Sequence, residues 1–204
     1  MNKPALALAI AIAAVAVLLY VPDGGEEEGD APYEAPDLLD QANAIFDDWS
    51  EMFNTNAAAD PNLYAFLGML KVSEGTAGPN AYRMMVGGTL FGSLADHPRV
   101  KVWLPNLGIY SSAAGAYQIL RATWDGVRSK LGLTDFSPAS QDRAAIELIR
   151  QRGALADVRA GRFAVAVEKC RKEWASLPGA GYGQRENSLA KLQAAYVNAG
   201  GVVA

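Results

Sequence analysis

The longest uninterrupted apolar stretch opens the chain. Residues 4–21 hold eighteen residues without a charge, with Lys3 in front and Asp23 close behind. That length just crosses a bilayer core as a helix, and seven of the eighteen are Ala, so the run is only weakly hydrophobic. The basic flank before it and the acidic flank after it keep the N-terminus cytoplasmic and send the remainder outward. Residues 1–21 are therefore read as a membrane segment, a single transmembrane or signal-anchor helix. A cleaved signal peptide competes, but Leu18-Leu19-Tyr20-Val21-Pro22 makes a poor cleavage site. Both readings export the rest of the chain.

Residues 22–60 form an acidic linker. Its 23–30 stretch is rich in Gly and Glu and is predicted to be disordered. Over residues 37–53 the pattern changes. Leu38, Leu39, Ala42, Ile45, Phe46, Trp49, Met52 and Phe53 fall on one side, with Asp40, Asp47, Asp48 and Glu51 on the other, which predicts an amphipathic helix. Such a helix either covers an apolar patch of its own protein or docks on a partner or bilayer, and its acidic face argues against anionic lipid.

The third pattern starts a domain over 61–204. Leu63, Leu67 and Leu70 recur at helical spacing behind Asp60-Pro61, an N-cap followed by proline in the first turn. The same register puts Glu74 where a leucine would continue the stripe, and Gly75 can end the helix in a left-handed cap. A carboxyl that is partly buried at the negative end of a helix is pushed toward a higher pKa, as a general acid near neutral pH requires. From the helix alone, a frayed end with Glu74 in solvent fits equally well.

Residues 83–91, apolar around a Gly87-Gly88 turn signal, predict with residues 100–104 a small antiparallel sheet. Between them lies Asp96-His97-Pro98-Arg99, whose His reads as a hydrogen-bonded scaffold group rather than a proton shuttle. Residues 111–118 put small residues ahead of Tyr117 and Gln118. Small residues at Ser112 and Gly115 allow a bulky ligand to approach, and a tyrosine beside an amide suits sugar hydroxyls, although a tight turn into a helix explains the stretch as well. Leu120, Trp124, Val127 and Leu131 mark the next helix. Ser137-Pro138 opens another, through Ala145, Ile146 and Ile149 to Gly153. Residues 163–174 form a further helix, and a last one runs from Ser188 to Gly200-Gly201. Between these two, Gly179-Ala180-Gly181 is no dinucleotide fingerprint, because no strand precedes it. The fold class is α+β: mostly helical, with one small sheet.

Charge sharpens this division. The chain carries a net −4, yet residues 22–60 hold twelve acidic residues and no basic one, while 61–204 hold seventeen Lys and Arg against ten Asp and Glu. The domain is thus a +7 body, suited to a polyanion such as nucleic acid or cell wall. Cys170 is the single cysteine and falls on an apolar stripe with Phe163, Val167 and Trp174, so it reads as a buried, inert thiol. His97 is the single histidine, which excludes multi-histidine zinc sites and a serine–histidine triad elsewhere.

Several stretches of this domain, in order, resemble the bacteriophage lambda endolysin family, lysozyme-like lytic transglycosylases. They are Ser73-Glu74-Gly75-Thr76, Val86-Gly87-Gly88, Asp96-His97-Pro98-Arg99 and Gly115-Ala116-Tyr117-Gln118, then Leu131-Gly132-Leu133, Asp135-Phe136-Ser137-Pro138, Ser140-Gln141-Asp142, Arg152-Gly153-Ala154-Leu155 and residues 174–184. The resemblance covers nearly all of 61–204 and does not reach residues 1–60. It implies a lysozyme-like fold and cleavage of the MurNAc–GlcNAc β-1,4 bond of peptidoglycan. The muramic C6 hydroxyl then attacks its own anomeric carbon and leaves a 1,6-anhydro end. Glu74 matches the family's catalytic acid. Tyr82, Tyr117, Gln118, Tyr182 and Gln184 match positions expected to line the saccharide groove, and the small residues Ser112 and Gly115 are expected substrate contacts beside them. The loop from Thr76 to Tyr82 is shorter than the family's, and the polar residues of the longer loop have no counterpart here.

No cofactor or metal is expected. The expected partners are glycan strands and the membrane at residues 4–21, not nucleic acid, and the protein is expected to be monomeric. It is expected in the periplasm, tethered to the inner membrane, as a host-lysis endolysin of the signal-anchor-release type. Two alternatives remain open: a water-using muramidase on the same fold with Asp96 as second carboxylate, and a non-catalytic, membrane-tethered wall-binding protein of a virion or secretion machine.

Overall fold

The computed structural model describes residues 60–204. The expected membrane segment, the 23–30 stretch and the amphipathic helix over 37–53 lie outside these residues. Among the described residues, no helix is long and apolar enough to cross a membrane.

Helix α1 (Pro61–Ser73) begins as its sequence requires. The Asp60 carboxylate accepts the Leu63 N–H, Pro61 occupies the first turn, and Glu74 caps the end before Gly75 turns left-handed at φ 72°. Leu63, Phe66, Leu67, Met69 and Leu70 are all buried, so α1 runs through the core rather than over it. It packs mainly on the last helix, α6 (Leu189–Asn198), and on the short α4 (Leu155–Arg159). Phe163, just beyond α4, links α1 to α6, meeting Phe66 in a T-shaped contact at 6.2 Å and lying tilted against Tyr196 at 4.9 Å between ring centroids.

Helices α2 (Arg121–Leu131) and α3 (Pro138–Gln151) form a second pair. Trp124, Val127 and Leu131 are the buried face of α2, and Gly132 ends it with φ 61°. Ser137 caps α3 by accepting the Ser140 N–H, ahead of Pro138. Between the pair sits Glu147, fully buried and held by Lys130 of α2 at 2.7 Å, Arg150 at 2.7 Å and Gln151 at 2.8 Å. Burial alone would raise its pKa. The three donors outweigh that and hold it down at about 2.

Helix α5 (Phe163–Cys170) is shorter than the sequence predicts, because the chain turns at 171–173 before Trp174 reaches the core. The stripe of Phe163, Val167, Cys170 and Trp174 is buried as expected, and burial pushes the Cys170 thiol up to about 12. The sheet differs more. Strand β1 (Val102–Leu104) pairs antiparallel with β2 (Ile109–Ser111), not with residues 83–91, in the register Trp103–Tyr110. The 83–91 stretch makes only isolated bridges, Met84 to Leu90 and Met85 to Ala114. Gly87 and Gly88, both at positive φ, bend it back on itself too soon for a strand.

Candidate functional site: a half-buried carboxyl at the end of a core helix

Glu74 sits where α1 leaves the core. Its N–H closes the last helical turn onto the Leu70 carbonyl at 2.9 Å, and Thr76 N–H reaches back to the Lys71 carbonyl at 2.9 Å. Thr76 is itself buried, its hydroxyl donating to the Ala116 carbonyl at 2.6 Å, so the turn after Glu74 is fixed against the 113–119 segment. The carboxyl is half-buried and takes a 2.6 Å hydrogen bond from the Ser176 hydroxyl on Oε1. Burial pushes its pKa up from 4.5 to about 7, and Ser176 offsets part of the rise. A carboxyl with that pKa can deliver and recover a proton near neutrality.

Asp96 has a different environment. Oδ1 accepts from the Trp124 indole at 3.0 Å, from Arg128 at 3.1 Å and from the His97 N–H, while Oδ2 pairs with Arg99 at 3.0 Å. Burial acts to raise its pKa, but these donors bring it down to about 2. Its lone pairs are committed to holding α2 against the 96–99 loop. His97 is buried, and its Nδ1 accepts the Arg99 N–H, so Nε2 carries the proton and donates to the Ile119 carbonyl. Burial keeps its pKa low and the ring neutral, a scaffold role.

The other residues singled out in the sequence fall into three groups. Tyr82 and Tyr117 meet on one acceptor, donating to Asp142 Oδ1 at 2.9 and 2.5 Å, with the Lys71 ammonium over both rings. Burial, with the Asp142 charge next in weight, holds both phenols protonated. Tyr117 is only 1 % exposed, so it backs the site from the core instead of lining a groove. Gly115 and Gln118 belong to one tight turn. Gly115 has φ 79°, and a side chain there would strike the Gln141 amide and the Phe136 ring. The neighbour that requires the glycine is thus Gln141, not a ligand. Gln141 spans the segment by accepting the Ala116 N–H and donating to the Tyr82 and Phe136 carbonyls. Gln118, at φ 48°, donates to the Met84 and Gly115 carbonyls, and Ser112 Oγ accepts the first N–H of α2.

Tyr182 and Gln184 form the third group, on an exposed loop. Asn187 N–H closes its neck onto the Ser176 carbonyl at 2.8 Å, and the exposed Glu186 carboxylate accepts from the Gly179 and Gly181 N–H groups at 2.8 Å each. Tyr182 donates to the Lys172 carbonyl. Gln184, Gly183 and Arg185 face Leu104, Pro105, Asn106 and Leu107 of the β1–β2 turn across an open cleft of about 430 Å³. Glu74 is not among the cleft walls. The sequence gives no site role to Ser176, Gln141 or Asp142, although they lie in stretches that carry the resemblance, and does not mark Glu186 or Asn187 at all. Their types are ordinary, and their partners lie up to 114 residues away.

The Endolysin family model matches residues 64–203. The chain belongs to the endolysin family. The endolysin of Escherichia phage P2 is 50 % identical over 157 residues, covering 70 % of this chain and 95 % of its own. That of Escherichia phage lambda is 47 % identical over 145 residues, covering 68 % and 91 %. Among solved structures, bacteriophage lambda lysozyme complexed with a chitohexasaccharide aligns with a TM-score of 0.67 at 45 % identity, over 70 % of this chain and 96 % of that one. A second structure of lysozyme from bacteriophage lambda gives 0.64 at 44 % identity. The endolysin fold thus spans the helical domain and its two-stranded sheet.

Proposed function

We propose that this endolysin cleaves the glycan strands of bacterial peptidoglycan as a lytic transglycosylase, with Glu74 as the single acid and base. The observation that carries this reading is the Glu74 carboxyl, half-buried at a helix end with its pKa near 7. Membership of the endolysin family and likeness to a lysozyme bound to a chitohexasaccharide support a β-1,4-linked glycan as the substrate class.

In the first step Glu74 gives its proton to the glycosidic oxygen, and the C1–O bond breaks through an oxocarbenium-like state. In the second step the carboxylate takes the proton of the muramic C6 hydroxyl as its oxygen bonds to C1. The carboxyl is restored, no water is consumed, and the product ends in 1,6-anhydro-MurNAc. This route needs one carboxyl. The commitment of Asp96 to Arg99, Arg128 and Trp124, and of Asp142 to two phenols, favours it over a water-using muramidase, which needs a second carboxylate free to act. Weighing the muropeptides from purified wall tests the proposal. An anhydro end is about 18 Da lighter than a hydrolysed one, and products at the hydrolysed mass would replace this reading with the muramidase.

The weakly apolar run at 4–21 supports a place for the reaction: the domain is exported to the periplasm while tethered, and released when the membrane depolarises. Fractionation before and after collapse of the membrane potential reads this out, and a chain that stays with the membrane after collapse contradicts release.

A further inference from the structure

Glu74 is the last member of a hydrogen-bonded row that reaches the protein surface. In the first turn of α6, Lys191 donates to Asn187 Oδ1 at 2.7 Å. An ammonium has no acceptor, so the Asn187 oxygen must face it and the NH2 must face inward. Nδ2 then has two hydrogens for three acceptors in reach, the Ser73 carbonyl at 3.1 Å, the Ser73 hydroxyl at 3.3 Å and the Ser176 carbonyl at 3.3 Å, so one N–H is shared. The Ser73 and Ser176 hydroxyl oxygens are 2.6 Å apart, and Ser176 is 2.6 Å from Glu74 Oε1.

Proton counting assigns the direction. When Glu74 is ionised it can only accept, so the one proton of Ser176 goes to Oε1. The short contact between the serines therefore carries the Ser73 proton, donated to Ser176 Oγ, while Ser73 Oγ accepts from Asn187. Reversal needs a protonated Oε1 as donor and the Ser73 proton turned off Ser176, so it is open only to the neutral acid and breaks the order that the ionised carboxylate imposes.

We propose that Lys191, Asn187, Ser73 and Ser176 form a one-way hydrogen-bond chain that keeps Glu74 Oε1 an acceptor and leaves Oε2 to carry the transferable proton. This rests on the reading of Glu74 as the acid and base. Through the cycle a proton leaves Oε2 for the glycosidic oxygen, and one returns to Oε2 from the C6 hydroxyl. None moves along the chain. The four residues are positioning residues. They present the same carboxyl oxygen in both steps, and they strengthen toward the anion as it forms. Without Asn187 and Ser73 to order it, Ser176 is free to turn and accept the carboxyl proton, away from the substrate.

The test is the pH profile of kcat/KM on purified peptidoglycan for the full chain and for Ser176→Ala, Ser73→Ala and Glu74→Gln. Activity requires protonated Glu74, so the basic limb follows its pKa. Ser176→Ala removes a bond to the charged form, so the limb is expected to move up by about one pH unit, a tenfold change in the ionisation constant, with kcat reduced and KM unchanged. Ser73→Ala is expected to move it less, in the same direction, although Ser73 touches no atom of the carboxyl. Ser176→Thr, which keeps the hydroxyl, restores the parent limb. Ser73→Ala puts a good helix former at the end of α1, so it carries the test even if Ser176→Ala does not fold. An inactive Glu74→Gln with both serine variants on the parent limb overturns the chain and leaves the acid assignment standing. A shift in Ser176→Ala alone overturns the part beyond Ser176. A Glu74→Gln as active as the parent removes the reading on which the chain rests.

Discussion

At the scale of single residues, three carboxyls in this endolysin show how environment divides their roles. Glu74 is raised to about 7 by burial, Asp96 is lowered to about 2 by its donors, and Asp142 is raised by burial despite two phenol hydrogen bonds. Each raised or lowered pKa is also a statement about stability. For Glu74 the folded pKa lies above the unfolded one, so its full contribution is present below about 4.5 and is lost as pH rises through about 7. Glu74→Gln is therefore expected to stabilise the protein at pH 8 by about 2 kcal/mol, after discounting for partial exposure, and to be near neutral at pH 4. Thermal unfolding at the two pH values checks it. Asp96 makes the opposite case. Asp96→Asn is expected to lower stability at pH 7 by about 1 kcal/mol, through loss of charge-assisted bonds at a site about a third exposed, and to leave the product unchanged. Denaturant unfolding and product mass together check this, and a change from anhydro to hydrolysed product would assign Asp96 a catalytic role.

At the scale of elements, legibility in the sequence depends on distance along the chain. Helix α1 is readable from Asp60-Pro61 to Gly75, and α3 from Ser137-Pro138, because capping is a matter of three or four neighbouring residues. The position of Glu74 at the end of α1 is legible for the same reason. The sheet is half legible. Residues 102–104 form a strand, but the partner is 109–111, of which only Ser111 falls in a stretch that the sequence marks out. Ser176, Asn187 and Gln141 are not legible, since nothing local marks a serine 102 residues from the carboxylate it binds. Gly115 stands out by its type, but the sequence does not show that its close neighbour is Gln141. Glu147 also belongs to this scale, because it ties α2 to α3 from a fully buried position. Its folded pKa lies below the unfolded value, so its contribution is present above about 4.5 and is lost as pH falls through about 2. Glu147→Gln is expected to remove roughly 2–3 kcal/mol of the stability that the parent loses between pH 5 and pH 2. Denaturant midpoints across that interval read it directly.

At the scale of the whole molecule, the domain's excess of seven positive charges sits on the part that meets the wall, and twelve acidic residues sit on the linker before it. The field of such a body speeds its encounter with an anionic polymer and is screened within about 8–10 Å at ordinary salt. Turnover of suspended cell wall is expected to fall several-fold between about 50 and 300 mM salt, through KM rather than kcat, while the midpoint of thermal unfolding moves little. An unchanged KM would mean that short-range contacts, such as those available from Gln184 and the β1–β2 turn, dominate capture.

Everything proposed for this domain passes through one carboxyl. The most direct measurement is the turnover of purified peptidoglycan by Glu74→Gln against the parent at pH 6, with unfolding curves showing that both are folded. Loss of a positioned general acid is worth about 10²–10⁴-fold, and a drop of that size in kcat, with KM nearly unchanged, is the expected result. A folded Glu74→Gln that clears cell wall at the parent's rate would contradict the assignment.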